Sequence, residues 1–144
     1  MNNIGIKTED FNIYLDEDLE SIINKIGREN LQVLRNYEFI VYQTRVITYK
    51  FSRGTNKLYA VSVPENKFKG VSKDIGLKGE RFIGIENKSQ YGFFTDETEL
   101  NINNSNLFKI KNGYQIVYEL DGNINFIKRK TKEKTLYILT KGRG

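Results

Sequence analysis

The sequence contains no Cys, no His and no Trp, and only one Pro and one Met in 144 residues. Without Cys there is no disulfide and no thiolate nucleophile. Without His there is no Ser-His-Asp triad, and without both there is no Cys/His zinc finger. The missing cysteines do not assign a redox compartment; they only remove the disulfide argument for secretion. The N-terminus, Met1-Asn2-Asn3-Ile4-Gly5-Ile6-Lys7, lacks a basic stretch followed by an apolar one, so no signal peptide is predicted. The apolar run Phe39-Ile40-Val41-Tyr42 is far short of the roughly 20 residues a membrane helix needs. A cytoplasmic protein is expected.

The chain carries 23 Lys+Arg against 18 Asp+Glu, a formal charge of +5. The charges are unevenly placed. Residues 1–20 hold six acids and one base, a net of −5, whereas residues 121–144 hold seven bases and two acids, a net of +5. Such ends are expected to attract one another or to present unlike faces to partners. The length suits a single domain, 1–144, that buries roughly two-thirds of its unfolded surface. Richness in Ile, Asn and Lys resembles proteins from AT-rich bacterial or phage genomes.

One helix is readable. Leu19, Ile22, Ile23 and Ile26 form an apolar stripe at i, i+3, i+4 and i+7. Asp16 is the expected N-cap, with Glu17, Asp18 and Glu20 in a dipole-matched first turn, and Gly27 the expected stop. The helix is expected over about 17–27. Strand signals lie on both sides: Phe11, Ile13 and Leu15 alternate before it, and 37–51 is rich in β-branched and aromatic residues. That stretch exceeds the usual strand of about 5–6 residues, so a break is predicted near Gln43-Thr44-Arg45. Arg53-Gly54-Thr55-Asn56 reads as a hairpin turn into Leu58–Val63, which Pro64 ends.

Residues 64–106 read poorly. Phe82-Ile83-Gly84-Ile85 suggests a brief strand, Tyr91-Gly92-Phe93-Phe94 an inward-packing knot, and 86–100 leaves room for a short helix. Beyond Leu107 a meander returns, with Asn112-Gly113 and Asp121-Gly122 as type I′ turns and Thr131–Lys134 as a looser one. Alternation predicts a sheet that is apolar on one side. The expected fold is α+β: a mostly antiparallel sheet, built from an N-terminal hairpin and a C-terminal meander, with one principal helix packed on it.

Candidate functional residues fall into four sets. Lys128, Arg129, Lys130, Lys132 and Lys134 are the densest basic run, beside Tyr114, Tyr118, Phe126 and Tyr137. Charge with aromatics on a sheet suits single-stranded nucleic acid, but no RNP-type motif is present; core rings and a guarded sheet edge are the competing reading. Asp16, Glu17, Asp18 and Glu20 are a second candidate surface. Counted as an EF-hand from Asp16, they put Ser21 where Gly belongs and Gly27 where Glu belongs, so a capped helix start is preferred to a cation site. A looser acidic group, Asp96, Glu97 and Glu99, reads as a solvated loop. Lys69, Lys73 and Lys78 sit among Gly70, Gly76 and Gly79 without matching either glycine-rich phosphate motif, leaving a weak phosphate-loop candidate. Tyr37, Tyr42, Tyr49 and Tyr59 would form a partner surface if they shared an exposed sheet face.

The order Leu15 to Gly27, then Tyr42…Val46-Ile47…Phe51, then Leu58…Val61-Ser62-Val63, resembles the unit of small bacterial helix-plus-meander inhibitor domains. The β-lactamase-inhibitor-protein and outer-membrane-assembly lipoprotein folds look like this. Ile75-Gly76-Leu77…Phe82-Ile83-Gly84 echoes the phrasing of such repeats but departs at once, since no helix ending in Leu-Gly follows. The resemblance spans about the first 65 residues, as a pattern rather than a motif. Immunity proteins that neutralise a toxin by binding it are similar in build. It implies a binding role and names no partner.

The function expected is therefore a non-catalytic protein-binding module: a bacterial or phage inhibitor, immunity or anti-defence protein that sterically blocks another macromolecule. A nucleic-acid-binding module using the basic C-terminal strands is the alternative, and a carboxylate-based, metal-assisted hydrolase a third. No catalytic residue, metal or cofactor is assigned.

Overall fold

The structure is a computed structural model that describes residues 4–8, 10–74, 80–83, 91–95, 110–111, 114–119 and 124–142, without the side chains of 71–74, 80–83, 110–111 and 114–119. The early elements are strands β1 (Ile4–Lys7) and β2 (Asn12–Tyr14), then helix α1 (Leu19–Ile26). A meander follows: β3 (Gln32–Leu34), β4 (Phe39–Gln43), β5 (Thr48–Ser52) and β6 (Leu58–Pro64). Next come β7 (Phe68–Asp74), β8 (Glu80–Ile83) and β9 (Tyr91–Thr95). The last strands are β10 (Ile110–Lys111), β11 (Tyr114–Glu119), β12 (Ile124–Lys130) and β13 (Thr135–Lys141). The fold is α+β and mostly antiparallel, with one α-helix among the described residues.

The strands form two sheets rather than one. The larger has the order β10-β11-β12-β13-β6-β5-β4-β3 and the smaller β2-β1-β9-β7-β8. All neighbouring pairs are antiparallel except β7 with β9. The break predicted near Gln43–Arg45 is the turn between β4 and β5, and Pro64 is the last residue of β6. Tyr91–Thr95 is a strand, so it contributes nothing to a second helix; the rest of 86–100 lies outside the described residues. The two Gly turns, 112–113 and 121–122, also lie outside them, as do Asp96, Glu97 and Glu99.

The start of α1 differs from expectation. Asp18, not Asp16, is the N-cap, and its side chain caps nothing. Asp16 instead takes a left-handed backbone, φ 66°, which Asp tolerates better than most residues. The first helical amide is satisfied by main chain: Leu19 N donates to the Asn56 carbonyl at 2.8 Å. Asp16 N donates to the Leu58 carbonyl, and Leu58 N to that of Glu17, both at 2.9 Å. The helix is thus fastened to the start of β6. At its far end Gly27, φ 93°, donates its N–H to the Ile23 carbonyl, as the sequence predicts.

Leu19, Ile22 and Ile23 are buried in a core shared by both sheets. Each such side chain contributes roughly 1.5–3 kcal/mol by leaving water. A run of rings crosses between the sheets. Phe68 of β7 stacks on Tyr137 of β13 at 4.3 Å and meets Phe93 of β9 at 4.9 Å; Phe93 in turn stacks on Phe126 of β12 at 5.4 Å.

Strands β12 and β13 of the meander are apolar on both faces, not one. Phe126, Tyr137 and Leu139 enter the main core, while Ile127 and Ile138 pack with Ala60 in a separate small cluster. Leu136 joins that second cluster. Alternation places neighbours on opposite faces, so a strand buried on both sides reads as a continuous apolar run.

A candidate partner-binding face

The second cluster lies on the outer face of the large sheet. There, side chains that point away from the helix line up across strands. Gln43 pairs with Thr48, Thr48 with Ser62, and Ser62 with Ile138. In the next row Lys50 pairs with Ala60, and Ala60 with Thr140. A register shift between Lys50 and Phe51 leaves Tyr59 beside this face too. The face is the floor of an open trough of about 1020 Å³.

One wall of the trough is the turn at Asn36, Tyr37 and Glu38. Asn36 Oδ1 accepts from the backbone amides of Glu38 and Phe39, each at 2.9 Å. From the β5–β6 connection, Arg53 Nη2 donates to the Asn36 carbonyl at 2.6 Å and Nε to the Tyr37 carbonyl at 3.2 Å. The backbone is therefore pinned, yet the Tyr37 side chain is 99 % exposed. Inside the trough Phe39 packs on Tyr59 at 4.9 Å, and the Lys50 ammonium sits 5.5 Å from the Phe39 ring centre. Arg45, Lys50, Arg129 and Lys134 line the trough, against two acids, Glu29 and Glu38.

The basic run Lys128–Lys134 is split by the pleat. Arg129 and Lys134 line the trough. Lys128 points the other way, its ammonium 5.9 Å from the ring centre of buried Tyr137. Lys130 and Lys132 are exposed at the strand end and in the following turn. That turn is held by Thr131, whose hydroxyl donates to the Lys134 carbonyl at 2.9 Å and accepts its amide at 3.2 Å. Tyr137 and Phe126 belong to the core, so neither ring is a stacking platform.

The acidic set is largely paired with lysines. Asp18 meets Lys57 at 3.1 Å, and Asp16 meets Lys141 of the last strand. This second pair joins the acidic and basic ends of the chain. Glu17 meets Lys25 at 2.8 Å, accepts from Ser21 Oγ at 2.6 Å and from the Tyr14 amide at 3.0 Å. Partial burial pushes its carboxyl pKa up, but Lys25, Ser21 and the Tyr14 amide together hold it below the ordinary value. Glu20 is exposed on the helix. Among the described residues no three metal-ligating side chains converge.

Of the phosphate-loop candidates, Lys69 and Lys73 lie in strand β7. Lys73 is paired with Arg81 on one side and Thr95 on the other, so its backbone is committed to the sheet and cradles nothing. Lys78 lies outside the described residues. The four tyrosines do not share a face. Tyr49 is buried, and burial with nearby Tyr91 pushes its pKa well up, so it keeps its proton. Tyr42 is half-buried against the main core, Tyr59 lies in the trough and Tyr37 on its wall.

Sequence reading missed Arg45 and Lys50. The available signal was the polar alternation Thr48, Lys50, Ser52 around buried Tyr49 and Phe51. No protein-family model, curated protein or solved structure matches the chain. No described helix is long and apolar enough to cross a membrane.

Proposed function

We propose that this chain is a non-catalytic protein-binding module acting in the cytoplasm: an inhibitor or immunity-type protein of a bacterium or phage that sterically blocks a macromolecular target. The observation that carries the reading is Tyr37, 99 % exposed on a turn pinned by Asn36 and Arg53 at the edge of an open trough. Tyrosine is a preferred anchor at protein interfaces, because it offers large area at little entropy cost. Holding its backbone rigid in the free state reduces the ordering cost of binding. The helix-plus-meander order of α1 and β3–β6 is in keeping with an inhibitor-type reading.

The test is affinity capture from bacterial lysate with wild-type and Tyr37→Ala baits, with and without nuclease. A discrete protein that survives nuclease and is lost with Tyr37→Ala is expected. Retention that vanishes with nuclease would instead favour nucleic acid. That second reading is supported by the exposed lysines of the β12–β13 turn, Lys130, Lys132 and Lys134.

A further inference from the structure

We infer that the segment received by the trough is an extended, acidic stretch of the target protein, with carboxylates alternating with apolar side chains. The inference rests on the binding-module reading above. Its first support is charge: four bases and two acids line the trough, so its lining is net positive. Arg45 and Lys134 are exposed, and Lys50 is half-buried beside the Phe39 ring. Its second support is the floor. Leu136 of β13 and the Phe39 and Tyr59 rings are partly exposed in the trough, giving apolar ground beside the basic side chains. An extended strand, whose side chains alternate on a two-residue period, can set its apolar groups down on that ground and turn its carboxylates toward the rim, where Arg45 and Lys134 are exposed.

The same details disfavour single-stranded nucleic acid. Its bases need open aromatic faces, but Phe39 packs on Tyr59 and has the Lys50 ammonium 5.5 Å from its ring centre. Tyr37 alone among the trough aromatics is fully exposed. Glu29 and Glu38 also interrupt the positive lining, which an unbroken run of phosphates would meet as repulsion. Separate carboxylates can avoid the two acids.

The experiment is fluorescence anisotropy with a labelled peptide of about twelve residues alternating Glu and Leu, ~40 Å when extended. Controls are the Lys-for-Glu peptide and oligo-dT. Saturable binding of the acidic peptide is expected, weakening with added salt, with no binding of the basic one. The Arg45→Glu/Lys134→Glu variant should bind at least about tenfold more weakly than the charge-matched Lys67→Glu/Lys130→Glu variant. Both pairs of sites are exposed, so folding is checked simply by thermal melting. Absence of saturable binding, or equal loss in the two variants, would overturn the inference. Tighter binding of oligo-dT than of the peptide would overturn it in favour of nucleic acid. If the peptide fails while capture still yields a Tyr37-dependent protein, the charge inference falls and the binding-module reading stands.

Discussion

Arg53 holds the main chain of Tyr37: its Nε donates to the Tyr37 carbonyl at 3.2 Å while Nη2 reaches the Asn36 carbonyl at 2.6 Å. The most exposed large apolar side chain described thus stands on a doubly fastened backbone. Arg53→Ala should loosen this turn and lower stability by about 1 kcal/mol. It should also weaken binding of the captured partner, through Tyr37 rather than through contact of its own. Urea unfolding and titration calorimetry, run together, check both. Unchanged affinity in this variant would mean that pinning the turn does not matter.

Tyr37→Ala separates binding from folding. The ring is exposed, so its removal should change unfolding free energy by no more than about 0.5 kcal/mol. Phe68→Ala is the contrast. That ring lies between Tyr137 and Phe93 and links the two sheets, so its loss should cost ~3–5 kcal/mol. Denaturant midpoints of the two variants should therefore differ widely.

Gly5 is required by packing, not by backbone angle. A Cβ there would lie 1.9 Å from the Ile13 carbonyl oxygen in the neighbouring strand. Main chain cannot yield as a flexible side chain does, so Gly5→Ala should force β1 and β2 apart. The expected cost is about 3 kcal/mol or more, read as a fall in the urea midpoint. A wild-type midpoint would show that this strand pair is not packed as described.

Glu17 gives a pH signature. Its folded pKa lies below the ordinary value of 4.5, so the ionised form is favoured by folding. Its contribution to stability is complete above the unfolded pKa and disappears as pH falls through the folded one. Glu17→Gln should therefore be less stable than wild type at neutral pH, with the gap closing in acid below the unfolded pKa. A gap that persists unchanged in strong acid would contradict the ion pair with Lys25.

The parts legible in the sequence are those governed by local chemistry. The stripe Leu19, Ile22, Ile23 and Ile26 gave the helix, and Gly27 its end. Arg53–Asn56 marked a turn because Gly54 and Asn56 both adopt positive φ, 91° and 56°. What stayed hidden depends on distant chain. The N-cap shifted because the carbonyl of Asn56, not a local side chain, accepts the first helical amide. β1 is only four residues long and acquires its place from pairing with β2 and β9. The parallel β7–β9 pairing is likewise absent from any local pattern. The basic run was visible, but the pleat divided it. Its Arg129 and Lys134 joined Arg45 and Lys50, some eighty or ninety residues earlier in the chain.

The most direct test of the partner-binding face is backbone hydrogen exchange of the protein, alone and with the captured target. The account predicts slowed exchange at the Asn36–Phe39 turn and along the trough strands β5, β6 and β13, with α1 and β2 unchanged. Protection confined to α1 and β2, with none at Tyr37, would contradict it.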